Sequence, residues 1–170
     1  SEKDKMKNSY RLRLSQKILE FFENIDKELL TKSKNRRVPE KVFWLGKKET
    51  AAFIKGFFDA EGCFGNHDID ACSASEFLMK QIQSLLLKFE INSSIYKNFE
   101  KTKKKYRYRL HIYGQKNLKI FQDNIGFSHS KKKEKLEKYL KRMVQKPKNS
   151  LLKFHNNVLW AKINSVSKKK

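Results

Sequence analysis

Ala51 to Phe64 reads AAFIKGFFDAEGCF. Ala52, Gly56 and Ala60 recur at every fourth position, so on a helix they form one stripe without bulk. A second helix can approach such a stripe backbone to backbone. Phe53, Ile54, Phe57 and Phe58 flank it and supply an apolar face. The stretch closes with Asp59, Ala60, Glu61 and Gly62, the glycine being the expected helix stop. Carboxylates at that end face the negative pole of the helix dipole. Two such helices packed together would bring two Glu61 carboxylates close, which calls for a cation between them. Hard oxygen ligands fit Mg²⁺. The same spacing also fits a buried amphipathic helix whose acidic end is solvated.

Working outward, Lys47 to Glu61 is predicted as a helix. Cys63 to Ser73 holds two short strands around the polar turn Asn66 to Asp68. Ser73 and Glu76 form a capping-box pattern ahead of a helix with the apolar stripe Leu78, Ile82, Leu85, Leu86 and Phe89. Asn92 to Phe99 and Tyr106 to Tyr113 predict a hairpin joined by the basic loop Glu100 to Lys105. In its second strand Tyr106, Tyr108, Leu110 and Ile112 point one way, and Arg107, Arg109, His111 and Tyr113 the other. Lys116 to Asn124 reads as a short helix. Ser130 is expected to cap a longer one reaching about Val144. Upstream, Tyr10 to Lys32 has helical spacing, and Ser33 to Pro39 reads as a linker or arm. Downstream, Val158 to Ile163 predicts a strand in a basic tail.

This order gives an α+β fold, αββαββα, with helices on one face of a curved antiparallel sheet. Three parts follow: a helical extension with a basic linker (1–45), the central domain (46–145) and a basic extension (146–170). The open face, carrying Arg107, Arg109 and His111, suits a DNA major groove, which admits a two-stranded ribbon.

Charge points to the same partner. Of 170 residues, 40 are Lys or Arg and 18 Asp or Glu, a formal net charge of +22. A compact body with this charge repels itself, and the usual compensation is a polyanion whose counterions it displaces. The chain is also 38% hydrophobic, with 13 Phe and 6 Tyr, enough for a core and unlike a disordered basic tail. No run approaches the roughly 18 apolar residues that span a bilayer. The polar N-terminus predicts no signal peptide, and an intracellular location with reduced thiols is expected for Cys63 and Cys72. The histidines at 67, 111, 129 and 155 show no metal-ligand spacing along the chain. Trp44 and Trp160 are expected in the core.

The segment Phe53 to Phe64, FIKGFFDAEGCF, resembles the LAGLIDADG motif of homing endonucleases. Ile54 to Gly62 match it position by position, with Gly56, Asp59, Ala60, Glu61 and Gly62 at the motif's glycine, first acid, small residue, second acid and closing glycine. Ser73 to Ile91 and Gly126 to Leu136 (GFSHSKKKEKL) are similar to later segments of the family. The resemblance implies two such units per active molecule, joined through the motif helices, with their sheets forming a saddle on duplex DNA. It implies phosphodiester hydrolysis in both strands with a divalent metal, Mg²⁺, held by Glu61 with Gly62 beside it. Asp59 is expected to brace the helix end. Lys116 is the candidate basic residue that organises water at the site. A single motif predicts a homodimer packed through Ala52, Gly56 and Ala60.

Arg36 to Glu40, RRVPE, and Val158 to Val166, VLWAKINSV, resemble segments flanking the second endonuclease unit of inteins. With Ser1 as the one nucleophile at the start and no terminal His-Asn, self-splicing is not expected. The hairpin residues Lys101, Lys103, Lys104, Lys105, Arg107, Arg109 and His111 are the candidate DNA contacts. Lys131, Lys132 and Lys133, at a helix start, read either as phosphate contacts or as a solvated run. Two other readings keep the same surface: a DNA-binding protein that has lost cleavage, and a maturase that binds structured intron RNA.

Overall fold

A computed structural model describes residues 15–18, 20, 33–101 and 104–143, and the backbone of 152–155 and 158–161. Most of the helix expected over 10–32 therefore lies outside the described residues, as do Lys103, the Trp160 side chain and the basic tail beyond residue 161.

The αββαββα order is observed. Helix α1 is Lys47–Glu61, β1 Gly62–Phe64, β2 Asp68–Ser73, α2 Glu76–Leu87, β3 Ser94–Glu100, β4 Lys105–Tyr113 and α3 Gln115–Asn124; a further helix, α4, is Ser130–Arg142. The sheet is antiparallel with strand order β1-β2-β4-β3. Strands β5 (Leu152–His155) and β6 (Val158–Ala161) pair as an antiparallel ribbon.

Alternation along the strands separates the two faces of the sheet. Ile69, Ala71, Leu110 and Ile112 are buried beneath the helices, while Arg109 and Tyr113 are exposed and Arg107 and His111 half-buried on the other face. From α1, Ile54 and Phe58 enter the core completely, and Met79, Ile82, Leu85 and Leu86 of α2 meet them. Phe58 packs edge-on against Phe121 of α3, with ring centroids 5.1 Å apart. Phe53 and Phe57 are only partly buried at the margin of this core.

Several local expectations change. The N-cap of α2 is Ser75, not Ser73: the Ser75 hydroxyl accepts the Leu78 amide at 3.1 Å, and Ser73 Oγ instead accepts the Ser75 amide. A capping box needs the serine one position before the first helical residue, and the helix starts at Glu76. The segment read as a linker is anchored. Val38 and Val42 join the core, the Val38 amide donates to Gln81 Oε1 at 2.8 Å, and Ser75 Oγ donates to the Arg36 carbonyl at 2.7 Å. Packing therefore begins ahead of residue 46. Trp44 is 83% exposed rather than in the core, because it ends the short 3₁₀ turn Glu40–Trp44 whose inward position is taken by Val42.

Gly62 is required for a reason other than a left-handed helix stop. Its φ is −94°, ordinary extended backbone. A Cβ there would lie 2.6 Å from the Phe58 carbonyl oxygen and 2.7 Å from the Phe58 ring. The chain can turn from α1 into β1 over a buried phenylalanine only where no side chain intervenes. Gly62→Ala is expected to destabilise the fold by about 1–3 kcal/mol. Chemical denaturation checks this, and an unchanged midpoint would mean that Phe58 moves aside at no cost.

Candidate active site

The acidic end of α1 is clamped to the start of α4. Asp59 accepts the Ser128 amide with both carboxylate oxygens, at 2.9 and 3.1 Å, and the His129 amide at 3.4 Å. It thereby caps α4 from another helix, and His129, the N-cap position, supplies no side-chain cap of its own. In return, Lys132 Nζ donates to the carbonyls of Phe58 at 3.1 Å and Asp59 at 2.6 Å. Each helix end thus receives the charge that its dipole favours. One lysine of the 131–133 run is therefore committed within the chain. A second lysine of the same helix, Lys135, reaches the Phe64 carbonyl at 3.1 Å.

Burial raises the Asp59 carboxyl, but hydrogen bonds from Ser128 and His129, with Lys132 nearby, outweigh it and hold the group below its ordinary value.

Glu61 remains on the surface. Its carboxylate meets Arg36 Nη1 at 3.3 Å, and both side chains are close to half exposed. The pair borders a cleft of about 220 Å³ whose lining includes Lys105, Arg107, Glu100 and Cys72. Arg107 Nε is itself 3.2 Å from Glu100 Oε2. Arg36 was not singled out from sequence as a site residue. Its contact with Glu61 depends on the anchoring of residues 36–38 on α2.

Ala52, Gly56 and Ala60 are all exposed along one side of α1, and a Cβ at Gly56 would meet nothing within 4 Å. On the hairpin, Lys101, Lys104, Lys105 and Arg109 are exposed, and Lys104 takes a left-handed turn conformation with φ 46°. His111 differs from its basic neighbours. Its Nδ1 lies 3.1 Å from Asp68 Oδ2 and 2.9 Å from Asp70 Oδ1. The open face is therefore not uniformly basic.

Among the described residues, Lys116 has no hydrogen bond or ion pair with Glu61; it lies in the first turn of α3. Gly62 is opposite Ala71, and Ala71 opposite Leu110, whereas Tyr113, three residues before Lys116, is opposite Asp68. Tyr113 thus lies roughly 10 Å along the sheet from the level of Gly62, and Lys116 follows it in α3. The cation on the carbonyls near the end of α1 is Lys132, brought there by α4. The GFSHSKKKEKL segment was the available signal for it, but three adjacent lysines conceal which one turns inward.

A helix with an exposed small-residue stripe and an acidic end, followed by paired strands in the αββαββα order, defines a LAGLIDADG-type domain. The comparisons agree. Residues 48–126 match the LAGLIDADG-like domain, and the chain belongs to the LAGLIDADG family through it. It is 43% identical over 116 residues to a probable translation initiation factor IF-2 of Methanocaldococcus jannaschii, covering 65% of the chain and 10% of that protein. It is 34% identical over 141 residues to a glutamine–fructose-6-phosphate aminotransferase of the same organism, covering 80% of the chain and 13% of that protein. It is 31% identical over 151 residues to the replicative DNA helicase DnaB of a Synechocystis species, covering 84% of the chain and 17% of that protein. The chain therefore spans between a tenth and a fifth of the length of these relatives. Among the described residues, no helix is long and apolar enough to cross a membrane.

Because the Asp59 carboxyl is held below its unfolded value, its stabilisation is present above the unfolded pKa and lost as pH falls through the folded one. Asp59→Ala is expected to lose about 1 kcal/mol at neutral pH through the missing cap. Asp59→Asn should recover part of that loss and show a shallower decline in stability toward acid than the parent. Melting curves recorded from neutral pH to about pH 3 check both; superimposable curves for parent and variants would remove the cap from the fold's stability.

Proposed function

We propose that this chain is the endonuclease module of a mobile insert. On this reading it cuts both strands of a long duplex DNA site with a divalent metal, as a homodimer in an intracellular compartment. The observation that carries the reading is Glu61, exposed at the end of a helix whose Ala52, Gly56 and Ala60 stripe is open to a second helix. The relatives support it from another side. One segment shared by proteins named as a translation factor, an aminotransferase and a helicase, at 10%, 13% and 17% of their lengths, is not what gives each its own chemistry. That pattern is expected of an insert, in keeping with the intein-like RRVPE segment.

The donor set fits a divalent cation. Glu61 is a hard carboxylate with 41% of its side chain exposed, and its surface ion pair with Arg36 is of a kind worth at most about 1 kcal/mol. A cation can therefore take the place of the guanidinium. Glu61 would hold Mg²⁺ together with Glu61 of a second copy, and Gly62 could contribute only main-chain atoms. When bound, the cation supplies an activated water and stabilises charge on the leaving oxygen.

The remaining work belongs to the chain. Asp59 and Lys132 fix the end of α1 and so the direction of Glu61. Arg36, Lys105 and Arg107 border the cleft beside that carboxylate and are suited to a phosphate. Lys101, Lys104 and Arg109 extend the cationic track along the hairpin, and Lys103 stays a candidate contact from the sequence. Lys116 remains the sequence-based candidate for the basic residue at the site, and Lys132, on the carbonyls of Phe58 and Asp59, is a second candidate by position. The Arg36–Glu61 pair favours one alternative, a DNA-binding protein that does not cut. Cleavage selection on a randomised duplex library with and without Mg²⁺ separates the two, and competition by folded RNA tests the maturase reading.

Glu61→Gln is expected to lower cleavage by more than about a hundredfold, since lost outer-shell partners alone cost up to that. Duplex affinity should persist, because binding rests on the basic face. Gel-shift and nicking assays on one substrate report both, and undiminished cutting would take Glu61 out of the site.

Gly56→Leu places a large side chain in the open stripe. It should abolish dimerisation in sedimentation runs and with it cleavage of a near-palindromic site. Far-UV circular dichroism should not change, because among the described residues nothing lies within 4 Å of a Cβ added there. A variant that still sediments as a dimer would move the interface elsewhere.

A further inference from the structure

Asp68, Asp70 and His111 form a cluster outside the α1 site. Asp70 is paired in register with His111 across β2 and β4, and Asp68 lies two residues before Asp70 on the same face. One ligand atom from each, two carboxylate oxygens and His111 Nδ1, lie within 4.8 Å of one another. All three residues are half-buried, with 34%, 16% and 21% of their side chains exposed in that order.

The hydrogen bonding of this cluster is incomplete. His111 Nδ1 is hydrogen-bonded to Asp68 Oδ2 at 3.1 Å. Asp70 Oδ1, 2.9 Å from the same nitrogen, is buried and receives no hydrogen bond. Nδ1 carries at most one proton, which cannot be directed at two carboxylates together. A buried carboxylate oxygen left unsatisfied is costly. A single cation can meet all three atoms at once. Bonds of about 2.1 Å set tetrahedral ligands roughly 3.4 Å apart, close to the spacing already present. The other oxygen of Asp70 accepts a hydrogen bond from the Cys63 thiol at 3.7 Å. Such support from a neighbouring donor is usual around metal ligands.

We propose that Asp68, Asp70 and His111 form a binding site for a first-row divalent transition ion of the Zn²⁺ type, separate from the carboxylate at the end of α1. The imidazole nitrogen selects such an ion over Mg²⁺, which takes oxygen ligands. The site needs no DNA and does not depend on the chain being a nuclease.

The test uses the full chain, stripped of metal, in a Glu61→Gln background that removes the α1 carboxylate. Zn²⁺ is titrated calorimetrically in the presence of excess Mg²⁺. One saturable Zn²⁺ per chain is expected, with an upward shift in melting temperature on binding. Asp70→Asn and His111→Gln should each weaken it by at least about tenfold. His129→Gln, which alters a histidine outside the cluster, should leave it unchanged. Circular dichroism identifies any variant that fails to fold, and the second ligand variant then decides. No Zn²⁺ binding by the parent, or affinity unchanged in a folded Asp70→Asn or His111→Gln chain, overturns the proposal. Loss of binding in a folded His129→Gln chain overturns it as well.

Discussion

The end of α1 and the start of α4 exchange charges, and the rest of the site is built on that exchange. Asp59 gives its carboxylate to the amides of Ser128 and His129, while Lys132 gives its ammonium to the carbonyls of Phe58 and Asp59. An acidic residue at a helix C-terminus is unfavourable alone. Here it serves as the N-cap of another helix, and a cation from that helix replaces it at the carbonyls. The clamp sits directly above Phe58, whose ring and carbonyl leave no room for a side chain at Gly62. Helix end, tight turn and first strand are thus one mechanical unit, and Glu61 projects from it at the surface.

This unit divides the two acids of the motif by role. Asp59 is spent on holding two helices together, and its lowered pKa expresses that use. Glu61 is left with a guanidinium as its ion-pair partner among the described residues. That guanidinium comes from the stretch ahead of the domain, tied to α2 by Ser75 and Gln81. A basic stretch is placed against an acid because its backbone is anchored, not because opposite charges found each other across a flexible linker. The small-residue side of the same helix is turned away from the core, so the surfaces needed for the fold and for assembly do not compete.

The sheet distributes charge just as unevenly. β4 alternates strictly, so its cationic residues share a face with every second residue of β2. Two of those residues are Asp68 and Asp70. The open face is cationic toward the hairpin tip and carries the aspartates of β2 where that strand pairs with β4, although the chain as a whole carries +22.

Periodicity by itself determined the elements of this protein. Spacings of three and four set α1 and α2, and spacings of two set β4, because each reports which side of a regular backbone is apolar. The motif's order of small residues and acids was legible for the same reason, whereas the expectation that Asp59 braces the helix end came from the resemblance to the family. Tertiary structure decided what depends on contacts between distant residues. It selected Lys132 from three adjacent lysines, set Arg36 beside Glu61 and buried Val38 in what reads as a linker. It also joined His111 to two aspartates about forty positions earlier, through the register of β2 against β4. A linear sequence records which residues can face the same way along one element. Which elements lie side by side, and in what register, is set by the packing of the whole core.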